Sequence, residues 1–203
     1  MSQILVVGED RLCCVLGEQL VKAALPTWQL AGPSIDTGGV TKLISSLQRY
    51  AEQATYVQPV LCIADTDGKC ATELIEAWRP NHAPNGFIIR LAVTEAESWV
   101  LADRQGFADA FQISKNKLPA NLDEEPDPKL LLLNLIAKSR KRSFRDDMIS
   151  QTDRSKPGAG YNVHLCDFAR SHWNIQRAMD HSRSLYRAFR CMLGLDLPAA
   201  EGK

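Results

Sequence analysis

Apolar positions along this chain follow two spacings. Short continuous apolar runs stop abruptly at glycine or acidic residues, and between them lie stretches with apolar residues three and four apart. Ile4-Leu5-Val6-Val7, ending at Gly8-Glu9-Asp10, reads as a first buried strand. Arg11–Leu25 carries Leu12, Val15, Leu16, Leu20 and Ala23-Ala24 at helical spacing and is stopped by Pro26. Trp28–Ala31 reads as a second strand before the Gly32-Pro33-Ser34 turn. Gly38-Gly39 is a loop, and Val40–Ala54 presents Leu43, Ile44, Leu47 and Tyr50-Ala51 on one helical face. Val60–Ala64 is a β-biased run between Pro59 and Asp65-Thr66-Asp67-Gly68. A helix over Lys69–Trp78, a loop over Asn81–Gly86 and a strand over Phe87–Val93, interrupted by Arg90, complete the series.

Strand and helix repeated at crossover spacing favour a parallel sheet. The expected architecture is α/β: a Rossmann-like, four-stranded parallel sheet flanked by helices over residues 1–93. Residues 94–203 form a helical extension packed on it. Thr94-Glu95-Ala96-Glu97 has the form of a capping box, with Thr94 as cap and Glu97 three residues on. Trp99, Val100, Leu101 and Phe107 suit a buried helix face. Lys117–Lys129 is a Pro- and Asp-rich loop before a helix over Leu130–Ala137, and Gln151–Gly160 is a polar loop. Tyr161–Trp173 and Asn174–Leu193 read as closing helices, and the tail 196–203 as frayed.

Candidate chemistry lies at the ends of the strands. In parallel α/β sheets ligands bind beyond the carboxyl ends, and three of the strands expected here end in acids: Glu9 and Asp10, Asp65 and Asp67, Glu95 and Glu97. One acidic strand end is explained by helix capping, since Asp is a good N-cap. Three on one edge call for a counter-ion. A hard cation, Mg²⁺ or Mn²⁺, takes carboxylates together with phosphate oxygens, and two-metal phosphodiester chemistry needs several carboxylates around ions about 4 Å apart.

Formal net charge is zero, which gives no global attraction to nucleic acid or membrane. Its distribution is uneven. From Lys138 to Arg190 there are twelve Lys and Arg against five Asp and Glu. Within this stretch Lys138, Arg140, Lys141, Arg142 and Arg145 can neutralise nucleic-acid phosphates or simply form a solvated face. Lys69, after the acidic turn, has the same two readings. Six scattered cysteines without a CxxC pair, and an N-terminus without a basic leader, suit reduced thiols in a cytoplasm. The four histidines lack metal-ligand spacing. His164 and His172 flank a helix with Phe168 and suit packing. Neither GxSxG nor GxxxxGK[ST] occurs, so serine-hydrolase and P-loop chemistry have no support.

The apolar strand ending in Asp65-Thr66-Asp67-Gly68, downstream of one ending near Glu9, resembles the TOPRIM domain of topoisomerases, primases and OLD-type nucleases. The stretch Val93-Thr94-Glu95-Ala96-Glu97-Ser98-Trp99 with Leu101-Ala102-Asp103 is similar to a group of small bacterial TOPRIM-like proteins of uncharacterised function. So are Lys117-Leu118-Pro119, Pro126-Asp127-Pro128-Lys129 and the segment from Gly160-Tyr161-Asn162 to Ser184-Leu185. Those proteins resemble OLD-type nucleases and accompany ABC-type ATPases in phage defence.

The resemblance implies Glu9 as general acid/base or metal ligand, Asp65 and Asp67 as Mg²⁺ ligands and Glu97 as an extra acidic ligand. Because TOPRIM sequences usually read Glu-Gly where this chain reads Gly8-Glu9-Asp10, Asp10 is the alternative to Glu9. The expected partners are DNA or RNA, an ABC-type ATPase and a second copy of the chain. Two rival readings stand beside the nuclease: a haloacid-dehalogenase-like phosphatase with Asp65 as nucleophile and Asp67 as acid, and a non-catalytic interaction subunit that keeps the fold.

Overall fold

The computed structural model describes residues 2–195. The first strand, β1 (Gln3–Gly8), is followed by α1 (Arg11–Ala24), then by two-residue strands β2 (Gln29–Leu30) and β3 (Ile35–Asp36). Next come α2 (Val40–Tyr56), β4 (Val60–Asp65), α3 (Ala71–Trp78) and β5 (Phe87–Ala92). All pairings are parallel, in the order β2-β1-β4-β5, with β3 also against β1. The sheet therefore has five strands among the described residues, where four are expected from sequence. The reason is local. Gly32-Pro33-Ser34 interrupts the expected second strand, so the chain pairs once with Gln3-Ile4 and again with Val7-Gly8.

Side chains along β1 and β4 alternate between two cores, as a period of two requires. Ile4, Val6, Leu61 and Ile63 face α1 and the later helices. Leu5, Val7, Val60, Cys62 and Ala64 face α2. With both faces covered, a continuous apolar run is the stable solution. On α1, Leu12, Val15, Leu16 and Leu20 are fully buried, each contributing about 1.5–3 kcal/mol of hydrophobic stabilisation.

The chain then turns helical: α4 (Ala96–Ala102), α5 (Arg104–Phe111), α6 (Pro128–Ile136), α7 (Arg142–Met148), α8 (Tyr161–Ser171), α9 (Ile175–Met179) and α10 (Arg183–Leu193). These helices join the α1 side of the sheet in one continuous core that includes Trp99, Phe107, Phe111, Leu133, Phe168 and Met192. The segment expected as one helix over Asn174–Leu193 is two, because the Ser182 hydroxyl accepts from Leu185 N and starts α10 afresh. Asp103 is wholly buried; it caps α5 through Gly106 N and takes a bidentate bond from Arg177, with Nε at 2.7 Å and Nη2 at 2.8 Å. All six cysteines are free. No helix among the described residues is long and apolar enough to cross a membrane. The tail 196–203, expected to fray, lies outside the described residues.

Candidate functional site

Glu9, Asp10, Asp65, Asp67, Glu95 and Glu97 lie together at the carboxyl edge of the sheet. Glu9 leaves β1 still paired to β4, its N–H donating to Ile63 O at 2.9 Å. Its Oε2 accepts from Asp65 N at 3.1 Å, so the first acidic strand end touches the second directly. Asp10 is the N-cap of α1, with Oδ1 accepting from Cys13 N at 2.8 Å. Between strand and helix, Gly8 has no room for a side chain. A Cβ there would meet Cys14 N at 2.5 Å and Asp10 O at 2.7 Å. Glycine before Glu9 is thus required by the close approach of the first turn of α1 to the end of β1.

Asp65 ends β4, and its Oδ1 accepts from Ala96 N at 2.8 Å, tying it to the start of α4. The Cys13 thiol lies 3.8 Å from the same oxygen. Asp67 is exposed and has a left-handed φ of 48°, followed by Gly68 at 74°. Across from it Thr94 has φ of 63°, an unfavourable conformation for a β-branched residue. Both are fixed by reciprocal bonds. Asp67 N donates to Thr94 O at 3.0 Å, and Thr94 N donates to the buried Thr66 hydroxyl at 2.7 Å. This staple joins the acidic turn to the end of β5. Strain of this kind, held in place by its neighbours, is commonest at functional sites.

The staple also overturns the expected capping box. Thr94 is not the cap of α4; Glu95 is, without a side-chain cap bond, and the Thr94 hydroxyl donates instead to Glu125 O at 3.3 Å. Glu97, released from capping, is buried at 3% exposure and accepts from the Tyr161 hydroxyl at 2.9 Å. Lys129 reaches in from α6, with its Nζ 3.2 Å from Glu95 Oε1 and 3.7 Å from Glu97 Oε1. Its backbone N–H donates to Glu95 Oε2 at 2.9 Å.

The electrostatics follow from this crowding. Burial, then the charges of Glu97, Glu9 and Asp10, push the Asp65 carboxyl up to about 8, against the pull of Lys129. Burial is also the main reason that Glu9 is raised; Asp67 and Asp10 add to it, while the bond from Asp65 N opposes it. Glu97 is raised by burial, with Lys129 opposing. For Lys129, burial disfavours the charge but Glu97 and Glu95 outweigh it, so its ammonium is held above the ordinary lysine value. The Cys13 thiol is driven well above its ordinary value by burial and the neighbouring Asp65, so it is no thiolate ligand. The donors are carboxylate oxygens, which suit a hard cation and not a soft one. Among the described residues no group of three or more His, Cys, Asp or Glu side chains is placed to hold a metal ion; the carboxylates share a rim without converging on one point.

The basic residues of the 138–145 segment lie elsewhere. Lys129 is in the first turn of α6, and the basic segment begins just beyond the other end of that helix, about 13 Å away along its axis. Lys138, Arg140 and Lys141 are exposed. Lys141 Nζ sits 4.6 Å from the centre of the Phe144 ring. Arg142 pairs with Asp146 at 3.1 Å, and Arg145 donates to Ser139 O. Lys69 is exposed after the acidic turn, its N–H donating to Thr66 O at 3.0 Å.

Lys129 and Tyr161 carry no local sequence signal for membership of this rim. Lys129 follows Asp127-Pro128 as an ordinary first-turn residue, and Tyr161 opens a helix sixty-four positions beyond the acid it contacts. No protein-family model, curated protein or solved structure matches this chain.

Proposed function

We propose that this protein is a TOPRIM-like, Mg²⁺- or Mn²⁺-dependent nuclease that hydrolyses phosphodiester bonds of DNA or RNA at the carboxyl edge of its sheet. The observation that carries the reading is the meeting of Glu9, Asp65 and Glu97, which follow or end three neighbouring strands, on one rim. Asp65, Asp67, Glu9 and Glu97 would hold the ion. Bound there, it supplies charge neutralisation for a phosphoryl oxygen and a more acidic water. Glu9 serves as the proton acceptor and donor, since its raised carboxyl exchanges a proton closer to neutral pH than an ordinary glutamate does. The Asp65 N–H fixes the Glu9 carboxylate, and Tyr161 and Lys129 fix Glu97. Lys138, Arg140, Lys141 and Arg142, with the half-buried Arg145, hold the nucleic-acid backbone beyond α6, and Lys69 lies beside the acidic turn. A companion ABC-type ATPase follows from the family resemblance.

One observation favours a second reading, a non-catalytic interaction subunit. Lys129 already supplies a positive charge to Glu95 and Glu97. Incubating wild type and Asp65→Ala/Asp67→Ala with supercoiled plasmid and with RNA, in Mg²⁺, Mn²⁺ or EDTA, separates the two. The nuclease reading expects cleavage that needs the metal and is lost in the double variant. Equal residual cleavage by both proteins refutes it, and calorimetry without carboxylate-dependent Mg²⁺ binding supports the inert subunit.

A further inference from the structure

About two turns along α8 from Tyr161 lies a hollow of about 180 Å³ between α5, α7 and α8. Phe111, Phe144, Phe168 and His164 form its wall, with Asp167 and His172 at its edge. The rings are set at the tilted and edge-on angles that aromatic clusters prefer. Phe111 and Phe144 have centroids 5.1 Å apart, Phe111 and Phe168 5.4 Å, and Phe144 and His164 5.2 Å at 90°. Phe111 and Phe168 are buried, and Phe144 and His164 are partly exposed, so these two rings are the part of the wall that solvent reaches.

The basic turn lies against this hollow. Arg140 N donates to Gln112 O and the Ser139 hydroxyl to Phe111 O, which binds residues 139–140 to the end of α5. Lys141 covers the Phe144 ring at 4.6 Å. An aromatic wall with cations along its border meets the two requirements of single-strand recognition: a π-surface for a base and positive charge for the phosphates beside it.

We infer that this hollow receives one unstacked base of a single-stranded nucleic acid, with the adjoining phosphates on Lys138, Arg140 and Lys141. The inference rests on the nucleic-acid reading above and adds strandedness to it. Asp167 offers an acceptor for amino or imino N–H groups on the edge of a base. Tyr161, His164 and Phe168 fall on one stripe of α8 by their spacing of three and four, and His172 follows as its C-cap. From the acidic rim at Tyr161 to Phe168 is about 10 Å along the axis, the rise of about three stacked nucleotides.

The test is fluorescence anisotropy with the full chain and a labelled 12-mer of single-stranded DNA or RNA, in EDTA. Competitors are a duplex of equal length and a strand of abasic residues. The ordinary strand is expected to bind at least tenfold tighter than either competitor. Ser171→Trp, at an exposed position on the hollow's edge, fills it without disturbing the core and should weaken binding about tenfold, the order expected for one lost base stack. Phe144→Ala should do the same, and Lys141→Glu should weaken binding with a shallower salt dependence.

Abasic and ordinary strands of equal affinity, preference for the duplex, or full binding by Ser171→Trp overturns the inference. Because EDTA removes cleavage from the measurement, base-dependent binding by a protein that never cleaves sinks the nuclease and keeps the hollow. Cleavage without base dependence does the reverse.

Discussion

Replacing Asp65 by asparagine should stabilise the metal-free protein at alkaline pH. In the fold this carboxyl is surrounded by Glu9, Asp10 and Glu97 and holds its proton up to about 8 instead of the ordinary 3.8. Its contribution to stability is therefore fully present below the unfolded value. It is lost as pH rises through that window, because the unfolded chain releases the proton and the folded chain resists doing so. At about 1.4 kcal/mol for each tenfold change in proton affinity, the ceiling at pH 8 is about 6 kcal/mol. Solvent reaches part of the carboxyl and lowers that figure, so we expect about 3 kcal/mol. The amide introduced by Asp65→Asn keeps an oxygen to accept from Ala96 N and turns an N–H₂ donor towards the neighbouring acids.

A chain of this size gains about 2–4 °C in midpoint per kcal/mol. Thermal unfolding followed by circular dichroism in EDTA should then show Asp65→Asn melting about 6–12 °C above wild type at pH 8, with the gap closing towards pH 4. Adding Mg²⁺ should raise the wild-type midpoint at pH 8 and leave the variant's where it was, since binding to the folded state alone adds stability by mass action. A variant that melts below wild type by the same amount at both pH values would show that Asp65 is not electrostatically strained, and the cation centre would lose its physical basis.

Three further substitutions probe the same rim. Lys129→Met leaves Glu95 and Glu97 without their ammonium and should cost about 2–3 kcal/mol in urea unfolding, with Mg²⁺ recovering more stability in the variant than in wild type; an unchanged midpoint would remove Lys129 from the cluster's energetics. Tyr161→Phe withdraws the hydroxyl from the buried Glu97 carboxylate and should cost about 1–3 kcal/mol, read by the same melts, with a loss that grows as Glu97 ionises. Gly8→Ala forces a Cβ against Cys14 N and Asp10 O and should cost at least about 2 kcal/mol; full stability of the Gly8→Ala protein would mean that α1 can move away from β1.

The acidic ends of the strands were legible because each sits where an apolar run stops, and the parallel order of the sheet follows from alternating strands and crossover helices. That Glu9 and Asp65 touch depends on β1 and β4 being neighbours although α1, α2 and two short strands separate them in the chain. Glu97 has a strong local pattern, Thr94-Glu95-Ala96-Glu97, but the bond from Thr94 N to the Thr66 hydroxyl holds Thr94 in a left-handed conformation and leaves Glu97 to Tyr161. Here a tertiary contact overrides a local signal of about 1 kcal/mol.

Sequence alone determined the strand and helix periods, the apolar runs buried on both faces and the acidic composition of the strand ends, because these are properties of neighbouring residues. Only the tertiary structure decided which side chains share the rim. Lys129 and Tyr161 reach Glu97 from helices more than thirty and sixty positions away, and a charge's effect depends on distance through space and on exclusion of water, neither of which is written in the spacing along the chain. The same holds for the hollow at Phe144, whose wall is assembled from α5, α7 and α8 only when their apolar faces pack together.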